Sequence, residues 1–167
     1  MGLEIERKFL VAGNGWQSAA ESSQTLVQGY LPLDQAGELR VRLIDHDQAV
    51  LTVKSEGGLV RQETEVAIDR SLGESLMKSA VGRVLEKTRY RVPAENGLVF
   101  EVDVYQGALK GLVVAEVELP TESTPVPARE WLGQEVTEDK AYKNKNLAAK
   151  GLPESPAPRK ASGPRLR

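Results

Sequence analysis

Leu3-Glu4-Ile5-Glu6-Arg7-Lys8-Phe9 alternates with a period of two. Leu3, Ile5 and Phe9 fall on one face of an extended chain and Glu4, Glu6 and Lys8 on the other, which is the pattern of a strand. Working outward, the pattern runs on to residue 11 and returns over 25–31, 39–44, 49–54, 59–68, 83–92, 98–105 and 112–119. Turn residues punctuate the series at Asp45-His46-Asp47-Gln48, Gly57-Gly58, Pro93, Asn96-Gly97 and Gly107. Eight strands in this arrangement predict an antiparallel sheet.

The polar faces carry the chemistry. Acidic residues recur at alternate positions in Glu4/Glu6, Glu63/Glu65, Glu101/Asp103 and Glu116/Glu118. Basic residues do the same in Arg40/Arg42 and Lys87/Arg89/Arg91, with Lys8 and Lys54 as single additions. Residues i and i+2 of a strand project from one face about 6.5–7 Å apart. Each set therefore holds like charges side by side, which costs energy unless opposite charge lies between them. A solvated face usually mixes its signs, whereas these are sorted strand by strand. Rows of carboxylates suit a hard divalent cation with oxygen ligands. Rows of Arg and Lys suit phosphate. A closed sheet with both rows inside would cradle a polyphosphate between basic walls and an acidic metal site. Phosphoryl transfer is catalysed largely by such positioning and charge stabilisation.

Composition narrows the classes. The 167 residues suit one domain. Twenty-two basic against 24 acidic residues give a net charge of -2 and a pI near 5.6, which offers no case for nucleic acid as the main partner. Without cysteine, disulfides and thiolate metal sites are excluded. No apolar run approaches the roughly 20 residues of a membrane span. Residues 1–6 lack the marks of a secretory signal, so a cytoplasmic location is expected. His46, the sole histidine, lies in a turn between two aspartates and has no second histidine with which to share a metal. Trp16 and Trp131 read as packing residues.

Helical signals are few. Ser71-Leu72-Gly73-Glu74 reads as a capping box opening a short helix to about residue 80. Residues 129–132 read as one helical turn, and 139–149 as a helix stopped at Gly151-Leu152-Pro153. One domain is expected over 1–152. The Pro-rich, basic stretch 153–167 is expected to be a disordered tail.

Glu4-Ile5-Glu6-Arg7-Lys8 resembles the Glu-x-Glu-x-Lys signature of the CYTH superfamily, the triphosphate tunnel metalloenzymes. Segments similar to others of that family follow in its order. They are Gln28-Gly29-Tyr30-Leu31, Leu39-Arg40-Val41-Arg42, Leu51-Thr52-Val53-Lys54, Glu63-Thr64-Glu65, Lys87-Thr88-Arg89-Tyr90, Glu101-Val102-Asp103 and Glu116-Val117-Glu118. The resemblance covers residues 3–153 and is nearest to the short bacterial inorganic triphosphatases. It implies an α+β, mainly β fold: a closed eight-stranded antiparallel barrel, or tunnel, with a few flanking helices and a C-terminal helix. The implied activity is metal-dependent hydrolysis of a triphosphate, inorganic triphosphate first, with Mg²⁺ or Mn²⁺ as cofactor.

By the same resemblance Glu4, Glu6, Glu116 and Glu118 would hold metal. Lys8, Arg40, Arg42, Lys54, Lys87 and Arg89 would hold the phosphate chain. Lys54, Glu63, Glu65 and Asp103 would serve the chemistry itself, as base, metal-side carboxylates or water-positioning groups. The segment 137–144 resembles the family's closing helix with its Tyr-x-Asn, here Tyr142 and Asn144, and could bring Lys140 or Lys143 to the substrate. Three alternatives stay open. They are cyclisation of ATP to cyclic AMP as in class IV adenylyl cyclases, hydrolysis of thiamine triphosphate, and binding of polyphosphate or nucleotide without turnover. A small-molecule triphosphate is the implied partner, with no nucleic acid and no membrane; a homodimer is compatible with the sequence.

Overall fold

Alternation alone leaves open whether eight strands make a sandwich or close on themselves; strand register decides it. The computed structural model describes residues 2–34, 36–57 and 59–153. Its strands are β1 (Gly2–Val11), β2 (Ser22–Leu31), β3 (Glu38–Ile44), β4 (Gln48–Lys54) and β5 (Val60–Ile68), followed by β6 (Val81–Pro93), β7 (Val99–Tyr105), β8 (Val113–Glu118) and β9 (Leu132–Glu135). The helices are α1 (Arg70–Met77) and α2 (Asn144–Lys150). Hydrogen bonding runs β5-β4-β3-β2-β6-β7-β8-β1, and β1 returns to β5, so the first eight strands form a closed antiparallel barrel. β1 makes the seam: Glu6 and Lys8 face Glu118 and Glu116 of β8, and Glu4 faces Arg61 of β5. An eight-stranded barrel has room inside for side chains and one small ligand.

The alternating faces sort as the charges require, polar groups inward and apolar groups outward. The main core therefore lies outside the barrel wall. Phe9, Val92, Phe100, Val102, Ala115 and Val117 are buried there under Trp16 and Trp131. Phe100 meets Trp131 edge-on at 5.1 Å between centroids, and Tyr90 meets Trp16 at 4.9 Å. Both tryptophans are packing residues.

Two local expectations are corrected and one is extended. The turn over 129–132 closes with Leu132 N donating to Arg129 O at 3.2 Å and runs straight into β9; β9 adds to β1 through Phe9↔Glu135 and Val11↔Leu132, and Arg7 grips Glu135 at 2.8 and 2.5 Å. The partner strand, not local propensity, decides so short a segment. Helix α1 is capped by Asp69, whose carboxylate accepts from Ser71 N at 3.2 Å and Ser71 Oγ at 2.7 Å. The helix thus starts before the Ser71 box and stops at Met77. The C-terminal helix is split: a 3-10 turn at Lys140–Tyr142, then extended Lys143 (ψ 137°), then α2.

That split lets α2 act as a plug. Leu147 and Ala148 are buried against Tyr30, Leu85, Tyr105 and Val114, the apolar inward residues at one end of the barrel. The three-residue hairpin loop Asp45-His46-Asp47 holds Asp45 and His46 in the left-handed region (φ 53° and 57°), and Asp47 N donates to Ile44 O at 3.0 Å to close the turn. Asp45 Oδ1 accepts from Thr25 N at 2.8 Å, and His46 stays exposed. Among the described residues no helix is long and apolar enough to cross a membrane. The expected tail lies outside the described residues beyond Pro153.

Candidate active site

Seven of the eight barrel strands and the plug segment send side chains into one cavity of about 260 Å³, and every lining side chain except Asn144 is charged. β1 contributes Glu4, Glu6 and Lys8, β3 contributes Arg40 and Arg42, and β4 contributes Lys54. Glu63 and Glu65 come from β5, Arg89 from β6, Glu101 from β7, and Glu116 and Glu118 from β8. The opposed stripes read from the sequence therefore converge on one enclosed space.

Three predicted residues sit elsewhere. Lys87 and Asp103 lie beneath the wall, 0% and 1% exposed, with Lys87 Nζ 2.7 Å from Asp103 Oδ2. The contact is an ion pair without the alignment of a directed hydrogen bond. Asp103 also takes both prongs of Arg89 at 2.8 and 2.9 Å, so its oxygens are engaged in aiming that guanidinium. Lys140 lines a neighbouring cavity outside the tunnel. Arg91, beyond Arg89 on the same face of β6, pairs with Glu21 at 3.4 Å.

Glu38 and Arg61 line the tunnel but were absent from the predicted set. Arg61 Nη1 meets Glu38 Oε1 at 3.1 Å, spanning from β5 to β3. The signal was present, since Glu38 is two residues before Arg40 and Arg61 two before Glu63. Each carries the sign opposite to its neighbour, so a search for like-charged pairs passes over both.

Cations and acids interleave across the tunnel, and depth separates them. Arg40 and Lys54 are 5% and 7% exposed, whereas the Glu65 side chain, 4.0 Å from Arg40, is 51% and Glu101 35% exposed. Lysines bridge the acids. Lys54 Nζ is 3.0 Å from Glu4 and 3.6 Å from Glu63, and Lys8 Nζ is 3.4 Å from Glu116. Lys8 also donates to Tyr142 O at 3.0 Å, which ties it to the plug segment. Gln28 links Arg42 (2.9 Å) to the Tyr30 hydroxyl (3.0 Å).

Two neighbouring carboxylates are driven in opposite directions. Burial alone would raise Glu116, but Lys8, Arg89 and Lys87 override it and hold its pKa far below the ordinary range. Glu6 is pushed up to about 8 by burial, reinforced by the carboxylates of Glu116 and Glu4. Glu6 makes no side-chain hydrogen bond or ion pair among the described residues. It is a carboxylate short of positive charge, so a divalent cation suits the Glu4–Glu6–Glu118 side of the tunnel. Among the described residues no three acidic side chains already close on one point. The basic side has the converse deficit. Arg40 Nε is buried with no acceptor, and burial plus Arg40 and Arg89 lower Arg42 to about 9. Unpaired donors among crowded cations call for an anion.

Comparison with known proteins agrees with this geometry. The model of the CYTH domain family matches residues 2–152. An inorganic triphosphatase of Nitrosomonas europaea is 46% identical over 152 residues, covering 87% of this chain and 96% of that protein. An inorganic triphosphatase of Acetivibrio thermocellus is 39% identical over 149 residues, covering 88% and 94%. A crystal structure of the inorganic triphosphatase NE1496 superposes with a TM-score of 0.63 at 43% identity, over 87% of this chain and 93% of that one.

Proposed function

Because this chain belongs to the CYTH domain family, we propose that it is a metal-dependent triphosphatase acting on inorganic triphosphate. The observation that carries the reading is the buried Arg40 Nε, a donor without an acceptor in a wall of cations facing a wall of carboxylates. Hydrolysis forms one bond from water oxygen to the terminal phosphorus and breaks the bridging P–O bond, yielding orthophosphate and pyrophosphate.

The chain's own residues supply binding, aim and charge. Arg40, Arg42, Lys54 and Arg89 take phosphoryl oxygens; Thr52 Oγ1 steadies the Arg40 fork at 3.3 Å, and Asp103 steadies Arg89. Held this way, the chain lies in line with the attacking water, and charge developing on the leaving group meets fixed cations. Asn144 adds a neutral donor. Its Oδ1 accepts from the buried Tyr105 hydroxyl, which leaves Nδ2 free for the tunnel. Glu4, Glu6, Glu116 and Glu118 would hold Mg²⁺ or Mn²⁺. Bound there, such an ion would supply positive charge to the phosphate chain and lower the pKa of water. Lys54, bridging Glu4 and Glu63 at the seam, stands where substrate and cation sides meet.

The test is phosphate release from inorganic triphosphate, ATP and thiamine triphosphate, each with Mg²⁺ and with Mn²⁺, with cyclic AMP assayed beside the ATP arm. Fastest turnover of inorganic triphosphate is expected. No phosphate release with either cation would sink the hydrolase, and cyclic AMP as the main product would replace it with a cyclase.

A further inference from the structure

The tunnel's plug end is not its last chamber. Glu38, Arg61 and Lys143 line the tunnel and also a second cavity of about 350 Å³ outside it, which Lys140 and Lys145 help to enclose. Glu38 and Arg61 neutralise each other at 3.1 Å. Lys143 Nζ donates to Gly57 O at 2.5 Å and Lys145 Nζ to Gly37 O at 2.6 Å, so both ammonium groups meet carbonyls instead of counter-ions. Lys140 makes no ion pair among the described residues. Glu56 and Glu138 face the same space, so three lysines against two carboxylates leave one surplus cation.

The opposite end has the opposite character. Glu101 and Glu118 reach solvent there, among the carboxylates that would hold the metal ion. At the plug side the two cavities share Arg61 and Lys143, with Lys140 and Lys145 on the outer one and Lys54 and Arg40 on the tunnel. We propose that the plug-side cavity is a second anion site, which takes the inorganic phosphate chain as it approaches the tunnel. Arg61 and Lys143 are the cations shared by both chambers. The assignment rests on the triphosphate reading of the tunnel and adds the route by which the substrate is drawn in.

Limited acetylation of the full chain with acetic anhydride, mapped by mass spectrometry, tests it without turnover. Inorganic triphosphate should slow acetylation of Lys140 and Lys145 at least about threefold and leave exposed Lys78 and Lys110 unchanged. Protection of Lys8 and Lys54 with none at Lys140 and Lys145 overturns the second site. Kinetics give an independent arm. The double variant K140Q/K145Q should lose about fivefold in kcat/KM at low ionic strength, mostly through KM, and show a flatter salt dependence, as loss of electrostatic steering requires. A kcat/KM and salt slope equal to those of the parent protein overturn it as well. Protection at Lys140 and Lys145 in a protein that never releases phosphate would leave the anion site standing while the hydrolase reading falls.

Discussion

The two ends of the barrel are built from the same alternating strands and do opposite work. At the plug end, inward positions beyond Lys8, Lys87 and Glu116 turn apolar, and α2 closes over Tyr30, Leu85 and Tyr105. There Arg40 and Lys87 are 5% and 0% exposed, and at the other end Glu101 and Glu118 reach solvent. Cations kept dry and preorganised bind phosphate strongly because little reorganisation is needed. Carboxylates left partly wet can exchange water for a metal ion.

Substitution on the acidic side should break the contrast most severely. Glu6→Gln removes a proposed metal ligand from the carboxylate wall and is expected to lower kcat by about 10³-fold, consistent with the loss of a key electrostatic group. The fold should survive with an equal or higher melting temperature, because the change also relieves like-charge crowding by Glu4 and Glu116. Turnover retained within tenfold would break the metal assignment. On the basic side Arg40→Ala should cost about 10²-fold in kcat/KM, and Arg40→Lys should recover only part of it, since an ammonium cannot replace the planar fork. Equal activity of the Lys and Arg forms would mean that Arg40 acts as a simple charge.

Much of this contrast was legible in the sequence, for a physical reason. Strand side chains alternate strictly, so Glu4/Glu6 and Arg40/Arg42 had to share faces, and like charges sharing faces had to meet opposite charge. Eight strands and nearly all the tunnel lining follow from that rule. It fails where local pattern does not decide the outcome. β9 has four residues and owes its shape to β1. The break at Lys143 depends on what Lys143 and Asn144 reach, Gly57 O and the tunnel, which no helical period records. Period two also gives a face but no depth. Nothing in Lys87-Thr88-Arg89 says that Arg89 lines the cavity while Lys87 lies under it.

Depth has its own consequence at Lys87. Burial lowers its pKa to about 7, with Asp103 opposing the shift. In the unfolded chain the lysine stays protonated to about 10.4. Between those values the unfolded state binds more protons, so stability rises with pH. The cost of burying the ammonium is full below pH 7 and fades above it. Denaturant titrations should therefore show a gain on the order of 2 kcal/mol between pH 7 and 9 from this group, absent in Lys87→Met. Parallel pH profiles for the two proteins would show that Asp103 keeps the lysine charged.

The smallest expected effect is the finest probe of the plug. Tyr105 is 2% exposed, stands 5.2 Å from Lys87 Nζ, and donates its hydroxyl to Asn144 Oδ1. An asparagine amide offers donors on one side and an acceptor on the other, so this single bond decides which of them faces the phosphate chain. Tyr105→Phe keeps the ring and its packing while releasing the amide to turn. KM for inorganic triphosphate should rise about threefold with kcat nearly unchanged, and stability should fall by about 1 kcal/mol. Asn144→Asp should raise KM far more, because a carboxylate would then face the phosphates from the end of the barrel where all else is arranged to attract them. If Tyr105→Phe lost stability but left KM untouched, the hydroxyl would be bracing the plug and not aiming the amide.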